Sequence, residues 1–294
     1  MVISRKVQIR LNVFFVTVVL LFILIFSMYE LGYLDELLTV LAKDHYIFYW
    51  MMLVGFLAEI VAGSMGMGYG VICTTTLLFL NIPPHIVSAS IHSAESFTTA
   101  AGSISHIKLK NVSKNLVKKL AIPAVIGAVI GALCLTYLGE YYSKITKTII
   151  AFYTFYLGFQ ILSNAFKKKQ SKALKRKTNL TRLGLIGGFI DSFAGGGWGP
   201  LVTGTLIKNS FTPRFAVGSS TVAKFILTLT AAVTFFFTLG IQHWNIILGL
   251  LLGGIVTAPF SAMLTAKLPV KSMFVVIGLL VIVMSSITIY KSVF

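Results

Sequence analysis

Five ionisable side chains stand inside long apolar runs: Glu59, His92, Glu95, Asp191 and Lys224. A charge in hydrocarbon costs about 2.5–3.5 kcal/mol on insertion scales, so such residues face a protein interior or a polar cavity and mark candidate sites. Two of the acids share their surroundings. The stretch GFLAEIVAGSMGMGYG, beginning at Gly55, matches GGFIDSFAGGGWGP, beginning at Gly187, with one residue inserted, so Glu59 and Asp191 are equivalent. Each acid is followed four residues later by a glycine-rich segment. Glycine costs about 1 kcal/mol and proline about 3 kcal/mol against alanine in a helix, so both helices should break there. Unwound backbone at membrane depth survives only where protein buries it or where it lines a polar cavity. A half-helix that starts at such a break points unpaired N–H groups and a positive dipole end into it, which suits an anion.

The candidate anion-binding residues are therefore Gly63, Ser64, Gly66, Gly68, Gly195, Gly196, Gly197, Trp198, Ser219, Ser220 and Lys224. Glu59, His92, Glu95 and Asp191 are the candidate proton carriers, because a carboxyl or imidazole held away from water can exchange a proton near working pH. Duller roles compete for the same residues. The glycines could serve close helix packing, Glu95 and Lys224 a structural ion pair, His92 a hydrogen bond to a neighbouring helix, and Glu59 and Asp191 the capping of backbone.

These residues need helices to position them. The repeat continues past the breaks, where PHIVSASIHSAE from Pro84 aligns without gaps with PRFAVGSSTVAK from Pro213. Glu95 and Lys224 thus occupy equivalent positions with opposite charge. Ser88, His92, Glu95, Thr99 and Ser103 recur at helical spacing on one segment, and Ser220, Lys224 and Thr228 on the other, so each set shares a helix face.

Composition sets the wider frame. With 56% hydrophobic residues, 11% charged residues and a mean hydropathy of +0.90, the chain is an all-α polytopic membrane protein. The net charge of +17 does not indicate nucleic acid, because the basic residues gather in loops between apolar runs, as a positive-inside topology requires. Cys73 and Cys134 lie in apolar runs, so neither a disulfide framework, a metal cluster nor a cofactor is expected.

Residues 11–28 follow Arg5, Lys6 and Arg10 and read as a retained first helix with a cytoplasmic N-terminus. Residues 47–80 start outside and must return outside, because 85–106 makes a full inward crossing to a lysine-rich loop. Residues 70–80 span only about 16 Å, half of a roughly 30 Å hydrocarbon core, so 47–80 folds as a re-entrant hairpin. Helices over 120–138 and 145–166 follow, then the basic linker 167–182. A second hairpin over 183–208 and helices over 214–239, 246–266 and 272–290 complete the chain. The expected domains are 1–46, the first repeat 47–166, the linker 167–182 and the second repeat 183–294. With three crossings in each half, the two repeats are inverted and the C-terminus is external.

The paired glycine breaks, each preceded by an acid and followed by a proline-containing turn and a Ser/Thr-rich helix, resemble the sulfite exporter TauE/SafE family of anion permeases. The resemblance covers residues 47–294. It implies a secondary transporter in the cell membrane, an exporter of sulfite, sulfoacetate, other sulfonates or related organic anions. A passive anion channel, or an importer of thiosulfate, sulfonate or carboxylate anions, is the alternative. The expected partners are the small anion and the lipid bilayer, and a homodimer is compatible. Enzyme chemistry is not expected, since the chain has no Gly-x-Ser-x-Gly, His-Glu-x-x-His or Cys/His cluster.

Overall fold

The computed structural model describes residues 45–294 apart from 66, 167–177, 210, 241–242 and 265–269. The first expected helix, most of the basic linker, Gly66 and Ser210 lie outside the described residues. From Ile47 onward the chain forms one unit. Its helices are α1 (His45–Met65), α2 (Tyr69–Phe79), α3 (Pro84–Lys108), α4 (Lys114–Tyr141), α5 (Ser143–Phe166) and α6 (Leu180–Ala194). A π-helical turn (Gly199–Thr203) leads into the short α7 (Gly204–Lys208), followed by α8 (Pro213–Leu239), α9 (Trp244–Leu264) and α10 (Val270–Val293). No strand occurs among the described residues.

Local chemistry explains the boundaries. Pro84 and Pro213 each open a helix, where a missing N–H costs nothing. The side chain of Asn179 caps α6 by accepting from the Arg182 N–H at 3.1 Å. Gly195 ends α6 at φ 69°, a left-handed geometry that disfavours any residue with a Cβ.

Among the described residues four helices, α4, α5, α8 and α10, are long and apolar enough to cross a membrane. The 25-residue α3 is long enough but too polar to be read as a span from hydropathy alone, because its hydroxyls, His92 and Glu95 dilute the apolar signal. Its hydroxyls do not strand their polarity. Ser93 and Thr99 donate to carbonyls four residues earlier, at 2.8 and 2.6 Å. On α4 the side chains of Ile122, Ile126, Ile130 and Leu133 point outward, about half exposed, as a lipid-facing stripe requires.

The helices meet in matched pairs. α4 lies on α6 and α5 lies on α10, while Gly55 of α1 rests on the Leu250 backbone of α9. α3 and α8 cross antiparallel. The contact from His92 to Phe235 and that from Gly102 to Thr221 bracket a hydrogen bond of 3.2 Å between Thr99 and Thr228. Thr99 and Thr228 are the aligned residues of the two segments.

Small residues allow the close approach. A Cβ on Gly188 would stand 2.3 Å from the Ala124 carbonyl oxygen. Gly188→Ala should therefore push α4 and α6 apart and cost about 1–3 kcal/mol. A lowered melting temperature in detergent is the expected readout, and an unchanged one would contradict this packing.

Candidate functional site

The two glycine breaks are in backbone contact. A Cβ on Gly70 would lie 2.5 Å from the Gly195 carbonyl oxygen, and one on Gly196 would lie 2.6 Å from the Gly70 carbonyl carbon. Neither position could carry a side chain without separating the breaks. Gly68 starts α2 at φ 113°, and Gly197 has φ 152°. Gly63 and Ser64 fall in the last turn of α1.

Asp191 organises the second break. It is fully buried, and its Oδ1 accepts the backbone N–H of Trp198 at 2.7 Å, across the glycine triplet. Its Oδ2 faces His92 Nε2 at 3.6 Å, an electrostatic contact rather than a hydrogen bond. His92 Nδ1 lies 2.8 Å from the Ser88 carbonyl oxygen, which can only accept, so the proton belongs on Nδ1. The facing Nε2 and carboxylate then attract only when a further proton lies on one of them. Ser88 Oγ donates to the Ser192 carbonyl at 2.6 Å and ties α3 to α6.

Trp198 and Ser220 hold the π-helical turn to α8. The indole N–H lies 2.8 Å from Ser220 Oγ and 3.1 Å from the Ser220 carbonyl, while Thr203 Oγ1 lies 2.6 Å from Ser220 Oγ. Two further hydroxyls face the glycines. Thr74 Oγ1 lies where a Cβ on Gly195 would be 2.3 Å away, and the Tyr153 hydroxyl 2.2 Å from one on Gly197. Neither hydroxyl has a hydrogen-bond partner among the described residues. Sequence reasoning missed Thr74, Tyr153, Ser192 and Thr203. The run Thr74, Thr75, Thr76 in an apolar helix was an available signal; Tyr153 had none.

At the crossing of α3 and α8, the Lys224 ammonium donates to Glu95 Oε1, and both side chains are largely buried. Glu95 Oε2 has no hydrogen-bond partner among the described residues. The equivalent residues of the two segments are thus ion-paired one helical turn from the Thr99–Thr228 contact. The charges of Asp191 and His92 act on Glu95, and Glu59 from α1 feels the charges of Glu95 and Lys224.

Two expected site residues take different places. Glu59, the counterpart of Asp191, is part-exposed and makes no hydrogen bond or ion pair among the described residues. Ser219 Oγ accepts the Ser113 N–H at 2.9 Å and joins α8 to the start of α4, away from the breaks. A groove of about 910 Å³ between α1, α2 and α10, lined by Trp50, Leu57, Ile72, Phe79 and Leu280, shares no residue with the charged centre. Its apolar walls suit a lipid chain better than an anion.

The chain has named relatives. A Bacillus subtilis protein called probable membrane transporter protein YtnM is 36% identical over 243 residues, covering 80% of each chain. A Haemophilus influenzae protein called probable membrane transporter protein is 27% identical over 243 residues, covering 76% of this chain and 90% of its own. No solved structure matches the chain. The family model for the sulfite exporter TauE/SafE matches residues 51–287, a span that takes in both breaks, both polar helices and the Glu95–Lys224 pair. With that match and these relatives, the chain is a multi-pass membrane protein that belongs to the sulfite exporter TauE/SafE family of membrane transporters.

Proposed function

We propose that this protein is a secondary transporter that exports small sulfur-containing or organic anions, such as sulfite, sulfoacetate or other sulfonates, across the cell membrane. The observation that carries the reading is Lys224, a buried ammonium at the crossing of α3 and α8, one turn from the contact of the two repeats. A buried ammonium needs an anionic partner, and a transported anion is one that can leave. Lys224 binds the anion, with the polar groups of the breaks around Gly195, Gly197, Trp198 and Ser220 forming the rest of the site. Glu59, His92, Glu95 and Asp191 carry protons between the site and either side.

The family name and the relatives' description as transporters support the class of function. The sulfur anion and the direction are our reading. A thermal-shift screen of sulfite, sulfoacetate, isethionate, thiosulfate and small carboxylates on detergent-purified protein tests it. A true ligand at about 100 times its Kd stabilises by roughly 2.7 kcal/mol through mass action. Stabilisation by the sulfur anions is expected, and stabilisation by none of these anions would remove the proposal.

The same reading makes the two halves inverted repeats with re-entrant hairpins, the N-terminus cytoplasmic and the C-terminus external. The paired contacts of equivalent residues favour it. In a Cys73→Ala, Cys134→Ala background, Ile82→Cys should be labelled from outside and Ser210→Cys from inside. Labelling of both from one side would defeat the inverted arrangement.

A further inference from the structure

The polar centre contains more acids than bases. Lys224 from α8, Asp191 from α6 and His92 from α3 itself act on Glu95. Glu59 from α1 feels the charges of Glu95 and Lys224, and Tyr69 and Cys73 of α2 feel those of Glu59 and Glu95. Three carboxyl groups thus share one ammonium. An arriving anion meets repulsion from these acids unless protons arrive with it.

The ammonium is also already engaged. Lys224 donates to Glu95 Oε1, while Glu95 Oε2 is buried without a hydrogen-bond partner among the described residues. A carboxylate that uses only one oxygen on its lysine is a replaceable ligand. Released with its charge intact, it would be a buried ion with no partner. Released with a proton, it becomes a neutral acid whose O–H can donate to a nearby acceptor. Glu59 of α1 is part-exposed and interacts electrostatically with Glu95.

We propose that Glu95 occupies the place of the transported anion on Lys224, and that the anion displaces it only as Glu95 takes up a proton. This rests on the reading of Lys224 as the anion's binding group. In the exchange, the Lys224–Glu95 ion pair, one anion and one proton from solution become a Lys224–anion pair and a protonated Glu95. Charge is conserved, and neither state leaves an unpaired charge on Lys224 or Glu95. The unloaded carrier returns with its internal pair closed, the loaded one with the anion in its place. One proton therefore travels with each anion, flux of a monovalent anion is insensitive to membrane potential, and export proceeds where the anion's outward gradient exceeds the inward proton gradient.

The full-length protein in liposomes tests this with sulfite, sulfoacetate, thiosulfate and isethionate, the last a monovalent sulfonate with no group that titrates near neutral pH. Anion entry and proton entry are measured together. The wild type should move about one proton per anion, with isethionate flux unaffected by an imposed potential. Glu95→Gln should bring that ratio close to zero and abolish accumulation driven by a pH gradient. It should also flatten the pH dependence of anion affinity, which in the wild type should weaken roughly tenfold per pH unit above the titration.

Glu95→Asp, which keeps the acid, should keep a ratio of about one even where affinity shifts. An unchanged ratio in Glu95→Gln, a lost ratio in Glu95→Asp, or anion flux without protons in the wild type would overturn the proposal. If none of the four anions crosses with the folded wild type, the transport reading itself fails and takes the proposal with it.

Discussion

Asp191→Ala is expected to cost about 3–5 kcal/mol of stability and to abolish transport, the largest loss from any single change at the breaks. Its carboxylate is fully buried, holds the Trp198 N–H across three glycines and faces His92. Alanine leaves that N–H unsatisfied, which alone costs roughly 1–3 kcal/mol, and removes the carboxylate that faces His92. Asp191→Asn separates the two roles. The amide oxygen can still accept from Trp198, so most of the stability should return, while the charge facing His92 does not. Thermal unfolding in detergent and flux in liposomes, measured on both variants, check this. Full transport by Asp191→Asn would reduce Asp191 to a backbone cap.

The second large effect concerns Lys224 and Glu95, whose stability and transport contributions should come apart. Each single neutralisation leaves the other charge buried, a situation that typically costs about 3–5 kcal/mol. Glu95→Gln is milder, because the amide can still accept from the ammonium. The double variant Glu95→Gln, Lys224→Met removes both charges and should recover much of the stability lost by Lys224→Met. It should not recover transport, because the anion's partner is gone. A double variant that regains both would make the pair a structural bridge between α3 and α8.

Much of this was legible in the sequence, because the membrane makes departures from a plain apolar helix expensive. Glycine runs beside Glu59 and Asp191 had to mark breaks, and the prolines at 84 and 213 belonged to turns ahead of the polar helices. The gapless alignment already made Glu95 and Lys224 counterparts. Their bonding, and that of Thr99 to Thr228, depends on the antiparallel crossing of α3 and α8, which no local pattern encodes. The two acids at the breaks looked alike in sequence, yet among the described residues it is Asp191 that reaches across its glycines to a backbone N–H. The glycine-triplet spacing at Gly195, Gly196 and Gly197 brings the Trp198 N–H within reach of Asp191. The places of Thr74 and Tyr153 beside the glycines were hidden for a related reason. They matter through the close approach of α2 and α5 to glycines more than forty residues away along the chain.

Ser219 shows how rotation about a helix separates two expected site residues. It shares a helix with Ser220 and Lys224, but neighbours in a helix are turned about 100° apart. The rotation that sends Ser220 to the break sends Ser219 to the start of α4, where it accepts the Ser113 N–H.

The central claim is secondary transport of a small anion through Lys224, and concentrative flux tests it most directly. The purified protein is placed in liposomes with sulfite, sulfoacetate or isethionate at equal concentration on both sides, and a pH gradient is imposed. Wild-type protein is expected to drive the anion to an unequal distribution that collapses when the gradient is dissipated, and Lys224→Met is expected to show none. Flux that only runs down an existing anion gradient, at the same rate in wild type and Lys224→Met, would contradict the account and make the protein a passive pathway that does not use this lysine.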